Sequence, residues 1–182
     1  TLQKVRYTNK VKSTSFSASG SFPIVSQEKE LVSGYWEDAT DVFSVTKPVV
    51  IFGDHTKVVK YVDFSFVLGA DGVKIMLPID SLDSKFFYYF MKSVELRDLG
   101  YARHYRILKE KYVPIPSILE QQCIVSILDQ AFEKIDVLKA NAEKNLADAQ
   151  ALFQQVLAKE LEPKEGWIET TLESVCEITS SL

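Results

Sequence analysis

Residues 119–161 read LEQQCIVSILDQAFEKIDVLKANAEKNLADAQALFQQVLAKEL, without a single glycine or proline. One seven-residue repeat threads the stretch. Ile124, Ala131, Leu138, Asn145 and Leu152 fill one of its positions, and Leu128, Ile135, Ala142, Ala149 and Val156 fill the other. Spacings that alternate four and three put these side chains on one seam of an α-helix, the pattern of a coiled coil. At 1.5 Å per residue the rod is roughly 60 Å long. An apolar seam of that length must meet another helix, so residues 118–162 are expected to form a dimerisation helix. Asn145 sits at an inward position, where a buried amide can fix register and partner orientation. The three seam alanines would allow close helix–helix approach.

Residues 1–117 read differently. Short apolar runs with β-branched and aromatic residues are broken by turn residues: Phe22–Val25, Val49–Phe52 ended by Gly53-Asp54, Val58–Val62, Phe64–Leu68 and Val73–Leu77. Gly69-Ala70-Asp71-Gly72 is expected to turn the last two into a hairpin. The spacing predicts a meandering, largely antiparallel sheet. Ser81 or Asp83 can cap a helix over 84–99 that Gly100 closes, with the Phe86–Phe90 aromatic cluster packed on the sheet. Pro114-Ile115-Pro116 then ends the head and directs the helix outward. The fold class expected is α+β: a mixed α/β head followed by one long coiled-coil-forming helix. Residues 163–182 begin a second head-like segment, because Thr1-Leu2-x-x-Val5 recurs as Thr171-Leu172-x-x-Val175.

The net charge of −4 is unevenly spread. Residues 1–117 hold 16 Lys/Arg against 13 Asp/Glu, whereas 118–165 hold 5 against 9, so a basic head meets an acidic arm. An acidic total does not exclude nucleic acid, since counterion release follows local charge. No apolar run approaches the ~20 residues that span a bilayer. The given residues show no charged leader followed by an apolar stretch, so secretion is not expected, and two cysteines, Cys123 and Cys176, fit a reducing cytoplasm.

Three basic sets are candidates for DNA contact. Arg103-His104-Tyr105-Arg106 follows a glycine and offers guanidinium forks beside aromatic rings, suited to guanine edges or phosphates. Lys4, Arg6, Lys10 and Lys12 suit phosphates. Lys57 and Lys60 flank the Gly53–Thr56 turn. Each set can equally be a solvated surface. Catalytic readings are poor: His55 and His104 are the only histidines and have no metal-ligand spacing. Asp54 after a buried strand reads as a turn-former. Asp71, Asp83 and Lys85 mimic a nuclease set, but Asp83-Ser84-Lys85 reads as a helix start. No glycine-rich cofactor loop or phosphate-binding loop occurs, so no cofactor and no enzymatic role are expected.

Taken in order, Phe22-Pro23-Ile24-Val25-Ser26-Gln27, Gly34-Tyr35, Ile51-Phe52-Gly53-Asp54-His55-Thr56 and Gly69-Ala70-Asp71-Gly72-Val73 resemble a target recognition domain of a Type I restriction-modification specificity subunit. Pro114-Ile115-Pro116, Leu119-Glu120-Gln121 and the long helix are similar to that family's junction and spacer. The resemblance implies a half-length or truncated specificity subunit that reads half of a bipartite double-stranded DNA target. It further implies pairing with a second half as a homodimer through antiparallel helices, and partnership with modification (methyltransferase) and restriction subunits that perform the DNA methylation and cleavage. A coiled-coil interaction module whose head binds protein is the alternative. Steep salt dependence of duplex binding separates the two.

Overall fold

The computed structural model describes residues 5–70, 72–98, 100 and 102–176. Lys4, Asp71 and the Thr1-Leu2 opening of the repeat lie outside them. The strands run β1 (Lys10–Val11), β2 (Phe22–Val25), β3 (Gly34–Trp36), β4 (Val42–Phe43), β5 (Val49–Gly53), β6 (Val59–Val62), β7 (Phe66–Gly69) and β8 (Val73–Met76). The helices are α1 (Ser84–Ser93), α2 (Tyr105–Leu108), α3 (Ile118–Glu160) and α4 (Leu172–Val175).

All five residues of β5 are buried, as a continuous apolar run requires of a strand covered on both faces. It is the middle of an antiparallel three-stranded sheet, pairing Ile51 with Lys60 of β6 and with Ile75 of β8. Side-chain alternation divides β5 between two cores. Val49 and Ile51 join Val25, Phe66 and Leu68, which belong to a second sheet. Val50 and Phe52 face the other way, onto Phe86, Phe87 and Met91 of α1 and Leu108 of α2. The head is therefore layered as sheet, sheet and helices.

The second sheet is mixed, with five strands around β7. β2 runs parallel to β7 along one edge. β4 pairs antiparallel with Phe66–Val67, and β1 parallel with Leu68–Gly69. Among the described residues, four of the six strand pairings across both sheets are antiparallel. The α+β class with a largely antiparallel sheet and a long helix holds, but the single meander does not. The expected hairpin at 69–72 is also replaced: β7 and β8 belong to different sheets, and the segment between them crosses from one to the other. Both edges of β7 are already occupied, so β8 finds its partner in β5. Gly72 has φ +79°, and a Cβ there would come within 2.5 Å of the Gln27 amide oxygen, so the crossing needs glycine.

Asp83 is the N-cap of α1, its carboxylate accepting from the backbone N–H of Lys85 and Phe86 at 2.9 and 2.8 Å. The helix stops at Ser93 rather than near Leu99. Val94 turns to extended backbone, and Val94 and Leu96 go into the helix-side core, so Gly100 is not its cap.

α3 is continuous over 43 residues. The chain divides into two units at Gln130 and Ala131, so the first turns of α3 belong to the same compact body as the sheets. There Ile124 and Val125 pack against the helix-side core, while Gln121 is fully buried. Ile124 is half-buried against its own head, where a place on an intermolecular seam alone was expected. Leu128 is half-buried. From Gln130 to Glu160 every residue is exposed. Ile135, Leu138, Leu152 and Val156 are each more than half accessible, and Ala131, Ala142, Asn145 and Ala149 lie open along the same seam.

Candidate nucleic-acid interface

The chain's hydrogen bonds gather several strand ends at one end of the head. Ala70 N–H donates to the Val11 carbonyl at 2.6 Å, tying the end of β1 to the crossing after β7. Asp54 N–H donates to the Gly72 carbonyl at 2.6 Å, tying the end of β5 to the start of β8. Gln27, just past β2, accepts the Thr56 hydroxyl on its backbone carbonyl at 2.7 Å. His104 N–H then donates to the Asp54 carbonyl at 2.8 Å, bringing the start of α2 to the same place. Lys12, Lys57, Arg103 and Arg106 are thus carried to one end of the sheets by backbone pairing, although they are far apart in sequence.

Asp54 organises this end. Its carboxylate accepts from Tyr105 N–H at 2.7 Å and faces the Lys74 ammonium at 3.7 Å. Lys74 also lies over the Tyr105 ring, 5.5 Å from its centroid. The turn-former expected of Asp54 is thus a cross-link between β5, β8 and α2. His104 is fully buried, with Nδ1 3.1 Å from the Asp54 carbonyl and Nε2 3.9 Å from Asp98. It cannot touch duplex, and its expected place among contact residues is withdrawn in favour of holding Arg103 and Arg106 in position. Arg103 and Arg106 are both exposed and Tyr105 is half-buried.

Lys57 adopts φ 60°, in the left-handed region that a tight turn after Gly53 imposes. Its ammonium pairs with Asp98 at 3.5 Å. The Gly100 N–H, then the Lys57 charge, hold the Asp98 carboxyl below its ordinary value. Lys60 is corrected outright. It points from β6 between the sheets, only 5% exposed, and its ammonium donates to the Glu30 carbonyl. Burial lowers its pKa, with Glu30 and Glu28 drawing it partly back.

Of the N-terminal set, Lys10 is in β1, Lys12 follows it and Arg6 precedes it. Arg6, Lys10 and Lys12 are exposed. The segment is held by Asn9, which donates to buried Asp41 at 2.8 Å, and by the Tyr7 hydroxyl, which accepts from Ile75 N–H at 3.2 Å. Lys74 was missed by sequence reasoning. Its signal was positional: in Val73-Lys74-Ile75 the lysine takes the alternate face of a strand. The nuclease-like set is taken apart, since Asp83 caps α1 and Lys85 pairs with Asp129 at 2.6 Å. No group of three His, Cys, Asp or Glu able to hold a metal ion occurs among the described residues. None of their helices is long and apolar enough to cross a membrane.

Comparison with known proteins agrees with this architecture. The chain is 26% identical over 172 residues to the Type I restriction enzyme EcoR124I/EcoR124II specificity subunit of Escherichia coli, covering 87% of this chain and 42% of that protein. It therefore spans less than half the length of this relative. A chain from a solved type I R-M system superposes with TM-score 0.65 at 18% identity, over 85% of this chain and 42% of that one. The HsdS subunit from Thermoanaerobacter tengcongensis superposes at 0.50 with 17% identity, over 84% and 41%. At these identities the two structures speak for the fold alone. The family model for the Type I restriction modification DNA specificity domain matches residues 4–146, most of the chain. With that match over more than half of its length, the chain belongs to the Type I restriction modification DNA specificity domain family.

Proposed function

We propose that the head reads one half of a split duplex target and that α3 joins it to a second half, while separate modification and restriction subunits supply the chemistry. The observation that carries this reading is the open seam of α3 beside a head of the DNA specificity family. From Ala131 to Val156 the repeat presents Ile135, Leu138, Leu152 and Val156 to solvent, and nothing in the described chain covers them. Each such side chain gains about 1.5–3 kcal/mol on full burial, so a helical partner is strongly favoured. A second copy, antiparallel along the seam, supplies one and gives two heads at a set separation. Identical heads related by a two-fold axis read inverted half-sites.

In this arrangement Arg103 and Arg106 are the base-reading candidates, held by the Asp54–His104 pairing. Arg6, Lys10, Lys12 and Lys57 serve phosphates, with Tyr105 alongside. The chain recognises and does not catalyse, and it works in the cytoplasm. Methylation mapping of DNA treated with this chain and its cognate methyltransferase subunit tests the reading: a split, palindromic methylated motif is expected. A contiguous motif, or no methylation, rejects it. Arg103→Ala with Arg106→Ala should weaken duplex binding by about 1–3 kcal/mol per lost base contact. Unchanged affinity and specificity would reject that loop as the reader.

A further inference from the structure

Residues 26–33 join β2 to β3 as a loop closed at its base. The Ser26 and Ser33 hydroxyls share a hydrogen bond of 2.7 Å, Ser33 N–H donates to the Ile24 carbonyl at 2.8 Å, and Glu28 N–H donates to the Ser26 hydroxyl at 3.1 Å. One side of the loop is tied to the turn after β5. There the Thr56 hydroxyl donates to the Gln27 carbonyl, and His55 N–H reaches the Gln27 amide oxygen at 3.4 Å. Near the tip it is held by Lys60, whose ammonium donates to the Glu30 carbonyl. Glu28, Lys29, Glu30 and Leu31 are left exposed. A cleft of about 310 Å³ is lined by Gln27, Glu28 and Glu30 on one side and by Thr56 and Val58 on the other.

Lys60 shows that the shape of this loop is specified. Its side chain is almost wholly buried, a costly place for an ammonium that is not well paired. Burial disfavours the charge, and the nearby Glu30 and Glu28 favour it. Its hydrogen bond goes to the backbone of an exposed loop, although β5 and β6 are already paired without it. The tie therefore fixes the loop more than the sheet. It also balances the tip, since Lys29 and Lys60 offset Glu28 and Glu30, and a balanced tip can come close to phosphates without net repulsion.

We infer that Glu28 and Glu30 are a second reading element beside Arg103 and Arg106, selecting a base that presents an amino group in the major groove, with Lys60 as a positioning residue. This role rests on the duplex-facing reading proposed above. Gln27 is joined through the 54–56 turn to Asp54, whose carbonyl accepts His104 N–H, so the loop and the Arg103–Arg106 segment share one end of the head. An ionised carboxylate only accepts hydrogen bonds. In the major groove cytosine N4 and adenine N6 donate, whereas guanine N7 and O6, adenine N7 and thymine O4 accept. A carboxylate held there bonds an amino group and is repelled by the other edges, so it selects by rejection as well as by attraction. Arginines do the reverse, donating to guanine. The head then brings acceptors and donors to the same duplex.

The test is a library of randomised half-sites methylated by the full chain with its methyltransferase subunit, the methylated sequences being recovered and counted. The native chain should demand an amino-bearing base on one strand, cytosine foremost, at a position that Arg103→Ala and Arg106→Ala do not relax. Glu28→Gln with Glu30→Gln changes only exposed side chains. Discrimination at that position should fall about tenfold, the size of one good base contact, with the other positions as before. Unchanged discrimination there overturns the inference, even if duplex affinity rises generally. Lys60→Met should relax the same position, although no group facing the duplex has changed. Ser33→Ala loosens the same loop more mildly, should act more weakly in the same direction, and decides the matter if Lys60→Met does not fold. A loss spread evenly over all positions, with a lowered melting temperature, would mean that the loop is held for stability alone and overturns the positioning role. A native complex that selects no sequence removes the DNA reading itself, and the second reader with it.

Discussion

The two parts of α3 share one heptad pattern and meet opposite fates. Over 118–130 the helix is seated on α1 and the helix-side core, with Gln121 buried and Ile124 in contact. Over 131–160 the same periodicity faces water along its whole length. Sequence periodicity thus states that a helix face needs a partner, without saying which partner. The identity of the cover is decided by polar anchors, which the hydrophobic pattern does not contain. Gln121 and Asp129 stand beside other polar residues, with nothing in the sequence to single them out, and they hydrogen-bond the helix to its own head.

The comparison breaks most sharply at the open part. Leu138→Asp with Leu152→Asp places charges where the proposed second helix would pack. The cost of burying them unpaired should weaken self-association by about 4 kcal/mol, roughly a thousandfold. Sedimentation should show monomers whose near-ultraviolet dichroism, from the aromatic head, is unchanged. A dimer that survives both changes would mean the seam is not the interface. At the seated part the expected loss is internal. Gln121→Leu strands Asp83 N–H and the Ser81 and Pro116 carbonyls, groups worth about 1–3 kcal/mol each when buried without partners. Urea unfolding of the head should lose about 3 kcal/mol, with oligomeric state retained. A loss below about 1 kcal/mol would show that water replaces the amide at little cost.

How far the chain could be read in advance follows the same division. The long helix was legible because its period repeats many times. β2 and β5 were legible because apolar runs bounded by Gly or Pro have few other uses. β1 and β4 are two residues each and have no period to detect. Turn residues at 69–72 announce a change of direction, but they are silent on whether the next strand pairs with the last. The end of α1 was set by Val94 and Leu96 reaching the core, so a glycine several residues later was a false stop. Among the basic residues, Arg103 and Arg106 are exposed, as a contact role requires. Lys60 and His104 could not be separated from them, because burial is a property of the assembled sheets. Lys74 became visible only once β8 was placed against β5.

Asn145 sharpens the comparison more finely. It is a polar group on the open part of the seam, as Gln121 is on the seated part, but exposed and unburied in the single chain. Replacing it with Leu should keep or raise the dimer's stability, by about 1 kcal/mol for the added apolar burial, while loosening relative orientation. Crosslinking of single cysteines along α3 should then report more than one register. One unchanged register would show that the amide has no part in alignment.

The smallest effect expected is at Asp129, and its sign can be worked out. The folded-state pKa is lowered, so the carboxylate contributes stability above the unfolded value of about 3.9, and the contribution is lost as pH falls through the lowered folded value. Asp129→Asn removes a group that titrates only on this acid limb. From about pH 5 downward the native chain should therefore lose stability faster than the variant, and above that range the two curves should run parallel. The Lys85 and Asp129 side chains are 39% and 37% exposed, so solvent screening holds the difference to under about 1 kcal/mol. Urea midpoints at pH 7 and pH 3.5 resolve a change of that size in direction. A variant that loses more stability than the native chain on acidification would mean that the carboxylate is held for its shape and not for its charge. The ion pair with Lys85 would then not be what seats the first turns of α3, leaving the Tyr89 hydroxyl and Gln121 to hold them.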